Sequence, residues 1–241
     1  MNTGKTQAQR FNELGQPIGP PLDSWTPRSR PLRTTMTGCF CRLEPMMPER
    51  HAAQLYDAFG KDTEGRNWTY LFADPFNSFE DFKQYLLEYC CSDDPLFYTI
   101  IDEKTGMAVG MCSLMRIDSV MGVIEVGHIN FSPLMQRTPV ATEAMFLMMQ
   151  RVFDELGYRR YEWKCDNNNA PSKRAAKRLG FSFEGIFRQA VIYKGRSRDT
   201  AWFSIIDKEW PQQKQAFQKW LNSENFDADG VQKSSLQDFR K

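Results

Sequence analysis

The stretch Glu125-Val-Gly-His128-Ile129-Asn-Phe131-Ser-Pro-Leu-Met-Gln136-Arg137-Thr138-Pro139-Val140-Ala141-Thr142-Glu143 decides how this chain reads. Val123–Phe131 has the composition of a strand, and Ser132-Pro133 stop it. A short loop follows. From Pro139 a helical segment runs to Leu156, with Gly157 where a helix C-cap glycine belongs. The first N–H groups of a helix lack intrahelical partners, and the helix dipole adds partial positive charge there. A strand feeding such a start offers an anion site suited to a pyrophosphate. Thr138 and Thr142 would add hydroxyl donors, and Arg137 a neutralising charge. The same residues also spell an ordinary strand–turn–helix, with Thr138 as N-cap and Pro139 at the favoured first position. Loop chemistry alone leaves both readings open.

Working outward, Phe97–Ile101, Ala108–Ile117 and Val123–Phe131 read as three consecutive strands. A strand-like run, 39–43, and two helical stretches, 50–59 and 79–91, precede them. Ser78 with Asp81 three residues on makes an imperfect capping box for the second helix. Downstream come a short strand at 160–165, a helix at 169–179 closed by Gly180, and strands at 183–193 and 200–206 joined through Lys194-Gly195. This order implies an α/β (α+β) fold, a mixed and mostly antiparallel sheet of six to seven strands flanked by about four helices. Residues 1–34 carry Pro17, Pro20, Pro21, Pro27 and Pro31 and read as an extended arm. The domain is expected over 35–211, closing at Trp210-Pro211, and 212–241 as a polar, partly helical tail.

Lysine plus arginine is 31 against 30 acidic residues, a net charge of +1, which argues against a general nucleic-acid or membrane-surface binder. Six cysteines without a CxxC, and only His51 and His128, make a metal site unexpected. With no signal-like N-terminus and no apolar run of spanning length, a cytoplasmic location with reduced thiols is the default.

Four motifs in order change the weight of the opening stretch: Glu125-Val-Gly-His128, Gln136-Arg137-Thr138-Pro139-Val140-Ala141, Asn169-Ala-Pro-Ser172 and Leu179-Gly180-Phe181. Over roughly residues 38–211 the chain resembles the GNAT superfamily of acyl-CoA-dependent N-acetyltransferases, and within it the RimJ/RimL-like, ribosomal-protein-acetyltransferase-type branch. The family signature Gln/Arg-x-x-Gly-x-Gly/Ala has Pro139 in place of its first glycine here and the permitted Ala141 at its last position. Proline removes one N–H that glycine would offer.

The resemblance implies acetyl-CoA as co-substrate, no metal, and direct attack of a primary amine on the thioester. It implies coenzyme contacts from Ile129, Phe131, Gln136, Arg137, Thr138, Val140, Ala141, Thr142, Asn169 and Ser172, with an oxyanion donor near Ile129. Glu125 is the leading base, since a carboxylate between Ile124 and Val126 has its pKa raised toward a useful range. His128 has a suitable pKa, but strict alternation sends it to the face opposite Glu125 unless a bulge intervenes. Many relatives carry a tyrosine acid where Ala176 stands; Ser172, one turn earlier, is the nearest replacement. The acceptor implied is a peptide N-terminus or a small amine, bound between the early helices and the last hairpin. Phe59, Trp68, Tyr70, Phe72 and Phe76 are expected near it, with Arg196 and Arg198 at its rim. Acetylation of a small molecule (antibiotic, toxin, polyamine or amino acid) and a non-catalytic acyl-CoA-binding module are the rival readings. A homodimer is allowed; nucleic acid and membrane are not expected as partners.

Overall fold

The computed structural model describes residues 9–228 and 230–240. Two short strands, β1 (Arg10–Phe11) and β2 (Pro17–Ile18), pair as a hairpin in the arm. The domain then runs β3 (Met36–Thr37), β4 (Cys41–Pro45), α1 (Pro48–Phe59), α2 (Phe79–Tyr89), β5 (Leu96–Asp102), β6 (Ala108–Asp118) and β7 (Val123–Phe131). It continues α3 (Pro139–Gln150), β8 (Arg160–Asp166), α4 (Ala170–Leu179), β9 (Ser182–Tyr193), β10 (Arg196–Ile206) and α5 (Trp210–Leu221). Among the described residues β3 to β10 form one sheet in the order β3-β4-β5-β6-β7-β8-β10-β9. All pairs are antiparallel except β7 with β8.

The sheet has one strand more than expected, because β3 is two residues long and carries no alternation to read. It also has a fifth helix. α5 begins where the domain was expected to close, and it buries Trp210, Ala216, Phe217 and Trp220. Phe217 stacks on Phe146, and Trp210 on Phe153. Each large side chain buried this way contributes roughly 1.5–3 kcal/mol.

Helices cover the two faces unequally. α3 lies in the main core on one face, and its residues from Thr142 to Met149 are all buried. The helix is therefore apolar almost all round, as a central helix must be. α4 and α5 flank it. α1 and α2 cover Phe97, Ile101, Ala108 and Met111 on the other face. Local signals set the ends. Ser78 Oγ caps α2 by accepting from Asp81 N at 3.1 Å. In the β9–β10 turn, Lys194 and Gly195 both have positive φ, 49° and 68°, as a two-residue hairpin with native twist requires.

A buried carboxylate ties the start of the domain to α3. Glu143 accepts N–H bonds from Cys39, Phe40 and Cys41 at 2.8, 2.6 and 2.7 Å. A Cβ at Gly38 would run into that carboxylate.

Candidate active site

Parallel pairing of β7 with β8 starts at Val123–Arg160 and stops at Val126–Trp163. Beyond it β7 stays with β6 and β8 with β10, so the two strands part. The parting opens a cavity of about 1840 Å³. A single drug-sized ligand needs roughly 300–1,000 Å³, so there is room for two substrates end to end. The catalytic and coenzyme-contacting residues expected from the sequence line this one cavity: Glu125, His128, Ile129, Phe131, Gln136, Arg137, Thr138, Val140, Ala141, Thr142, Asn169 and Ser172.

A bulge decides which side chains share a face. Between Ser113 and Met111 β6 advances two residues, while β7 advances three from Gly127 to Asn130. The extra residue leaves His128 at φ 49°. Alternation alone would put His128 opposite Glu125; the bulge puts both on the face that α1 and α2 cover further along. Glu125 pairs with Met115 there, and His128 Nδ1 lies 2.9 Å from Ser113 Oγ. The imidazole also packs on Phe97, with centroids 4.8 Å apart. A second bulge in β6 leaves Arg116 at φ 49°, with its N–H held by Asp94 at 2.8 Å. Such conformations are costly outside glycine and gather at functional sites.

Glu125 is buried and paired. Its Oε2 lies 2.8 Å from Lys164 Nζ and 3.4 Å from Arg116 Nε. Lys164 also reaches Glu162 at 2.7 Å and sits 3.8 Å above the Trp202 ring. Burial pushes the Glu125 carboxyl up, while Lys164 and Arg116 pull it down; burial wins. These partners lie on other strands, and no local sequence signal names them.

Burial, then the nearby Arg116 charge, pushes His128 down to about 4 from 6.5. The unfolded chain therefore takes up a proton at this residue before the folded one does as pH falls. Its contribution to stability is complete above 6.5 and is lost as pH drops toward about 4. From about pH 7 to about pH 5 this single group should cost about 2 kcal/mol. Urea titrations should show that loss in the wild type and a flatter profile in His128→Asn; parallel profiles would contradict it.

The loop before α3 uses some of its expected donors on itself. Thr138 gives its N–H and its hydroxyl to the Met135 carbonyl, at 3.3 and 2.7 Å. Gln136 Nε2 donates to Asn67 Oδ1 at 3.0 Å and the Phe131 carbonyl at 2.8 Å. Thr142 sits one full turn past the Thr138 N-cap, where its N–H is engaged within a regular helix. Its Oγ1 accepts from Arg178 Nη1 at 3.0 Å. Gln136 and Thr138 thus shape the loop where it lines the cavity. What remains for an anion is the N–H of Val140 and of Ala141, the N–H of Arg137, which has no backbone partner among the described residues, and the Arg137 side chain.

On the facing helix Asn169 caps α4 by accepting from Ser172 N at 3.0 Å. Ser172 Oγ accepts from Trp163 Nε1 at 2.9 Å, which leaves its own proton to donate. Ala176 is fully buried.

The other end of the cavity is roofed by residues 66–72. Asn67 Nδ2 donates to the Phe131 carbonyl at 2.9 Å, and Tyr70 OH to Asn168 O at 3.2 Å. From the β9–β10 turn, Lys194 Nζ reaches Trp68 O at 2.8 Å and Arg196 Nη2 reaches Thr69 O at 3.0 Å. The expected aromatic group divides: Phe59, Trp68 and Phe76 pack under α1 and α2, while Tyr70 and Phe72 line the cavity. Arg198 and Arg116 line it as well.

Residues 41–182, more than half of the chain, match the family model described as the acetyltransferase (GNAT) domain. A GCN5-related N-acetyltransferase from Brucella melitensis is 52% identical in its crystal structure, with TM-score 0.89 over 91% of this chain and 99% of that one. The curated "Uncharacterized N-acetyltransferase p20" of Bacillus licheniformis is 29% identical over 47% of this chain. The chain spans 50% to 63% of the lengths of the curated relatives it matches. In fold alone, the chain is similar to the microcin C7 self-immunity acetyltransferase MccE, solved with acetyl-CoA and AMP, at TM-score 0.61 and 22% identity. That likeness covers 70% of this chain and 93% of that one. The parted strands, the loop that opens α3 and the matching model together place this chain in the GNAT acetyltransferase family.

Proposed function

We propose that this chain transfers the acetyl group of acetyl-CoA to the primary amine of an acceptor that also carries an anionic group. One observation carries this reading: the gap between β7 and β8 joins unpaired amides at the head of α3 to a wall holding Glu125 and His128. The diphosphate rests on the Arg137, Val140 and Ala141 amides. The pantetheine arm runs between the parted strands, alongside Ile129 and Phe131. The thioester then meets the amine beside Glu125. The amine nitrogen forms a bond to the carbonyl carbon, the carbon–sulfur bond breaks, and the sulfur leaves with its electron pair. A backbone N–H near Ile129 stabilises the oxyanion. Glu125 takes the amine proton through water; the Ser172 hydroxyl donates a hydrogen bond to the departing thiolate, which then takes its proton from water.

His128 stays neutral over the working range because its pKa is low. When Nδ1 donates to Ser113, Nε2 is the ring's acceptor and orders that water. Arg116 and Arg198 supply positive charge at the acceptor end, which favours a carboxylate or phosphate near the amine and disfavours an ammonium. MccE, solved with acetyl-CoA and a nucleotide monophosphate, has the same fold.

Thiol release from acetyl-CoA tests the reading with three acceptor sets: peptides with a free N-terminus, amino acids, and alkylamines lacking an anionic group. Transfer to either of the first two, with little to the third, is the expected result. Binding of acetyl-CoA without transfer to any amine would favour a non-catalytic acyl-CoA module instead.

A further inference from the structure

The cavity continues past the head of α3, away from Glu125. Its walls there are Phe40, Arg178 of α4, and Phe226, Val231 and Gln232 from the segment after α5. This segment lies outside the stretch 41–182 that the family model matches. It is a built structure. Phe226 bridges to Gln232, and its ring packs edge-on against Phe40 and Trp220. Asn225 is buried, donating to Trp220 O at 3.0 Å and accepting from Ser234 N at 3.0 Å.

A second observation concerns charge. Arg178 and Arg240 are neighbours, with Arg240 Nη1 donating to the Arg178 carbonyl at 2.6 Å. Neither is ion-paired with a carboxylate among the described residues. Arg178 stacks on Trp220 at 5.2 Å, and Nε and Nη2 of Arg240 are buried without a hydrogen-bond partner. Two adjacent, half-buried guanidiniums without a counter-charge are rare unless an anion completes them.

Coenzyme A is a linear molecule, with thioester, pantetheine, diphosphate and 3′-phosphoadenosine in order. If the thioester lies at Glu125 and the diphosphate at Ala141, as proposed above, the adenosine end must lie beyond. We propose that Arg178, supported by Arg240, binds the 3′-phosphate, and that the segment carrying Phe226 and Val231 walls in the adenosine. The C-terminal segment is then part of the coenzyme site, and this chain distinguishes coenzyme A from its 3′-dephospho form.

Calorimetry with the full chain decides the point, using coenzyme A and 3′-dephospho-coenzyme A as probes. The wild type should bind coenzyme A about tenfold or more tightly than the dephospho form, since a charge-assisted bond is lost. Arg178→Gln should bind the two alike. Val231→Glu alters an exposed position, 59% accessible, and should leave folding intact while weakening coenzyme A severalfold more than the dephospho form. If Arg178→Gln fails to fold, the Val231 variant carries the test. Equal wild-type affinity for the two probes, or equal weakening of both by either variant, would overturn the proposal. Tight binding of both with no preference would overturn it while leaving the diphosphate assignment standing; no binding of either would instead sink the diphosphate assignment on which it rests.

Discussion

Glu125→Gln should lower turnover roughly 10² to 10³-fold while leaving acetyl-CoA affinity within about twofold. The substitution keeps the shape and removes the negative charge, and with it the ability to take a proton. Lys164 keeps its contact with Glu162 at 2.7 Å, so the buried ammonium is not stranded. A positioned base contributes about 10² to 10⁴ in rate, and water supplies the smaller remainder. Because burial raises the Glu125 carboxyl, wild-type activity should fall toward acid at a pH above the ordinary carboxylate range, where Glu125 takes up its proton. That limb should vanish in the variant. Steady-state thiol release across pH, with calorimetry for the coenzyme, measures both. Near-normal turnover in a folded variant would reduce Glu125 to a counter-charge for Lys164, leaving His128 to manage the proton.

The other large effect is expected from Ala141→Asp, which should raise the dissociation constant for acetyl-CoA about 100-fold or more. Ala141 is the third residue of α3. An acidic side chain in the first turn is favourable for a helix, because it faces the positive end of the dipole. The substitution should therefore not cost folding. For the coenzyme it puts a negative charge where two phosphates should rest, beside the amides that would otherwise attract them. Ala141→Ser, which adds bulk without charge, is the control and should shift the constant only a few-fold. Calorimetric titration gives both numbers. A wild-type constant in the aspartate variant would move the diphosphate away from this loop.

How much of this was readable in advance differs from element to element. Seven strands were legible because alternation and turn residues mark them; β3, with two residues, has nothing to mark. α5 falls largely in the stretch expected as a polar, partly helical tail, because Gln212, Gln213, Lys214, Gln215, Gln218 and Lys219 dominate it. Yet Trp210, Phe217 and Trp220 fall on one face and fill the core. The contents of the cavity were legible through the ordered motifs. The way its residues are partnered was not. The bulge at His128 involves positive φ at a residue that gives no hint of it, unlike glycine. The partners of Glu125, Lys164 and Arg116, lie on the two neighbouring strands. Arg178 reads locally as a favourable charge in the last turn of a helix, and only the fold shows that it pairs with no carboxylate among the described residues.

The carboxylate of Glu143 has a consequence for how the chain can be trimmed or varied. It organises residues that never meet a substrate, yet it belongs to the helix whose first turn faces the coenzyme. A shortened version beginning after Cys41 would leave that acid in the apolar interior without its three amides. Shortening at this end would thus disturb coenzyme affinity as well as solubility. A side chain larger than hydrogen at position 38 would demand a smaller residue at 143, so the two sites are free to drift only as a pair.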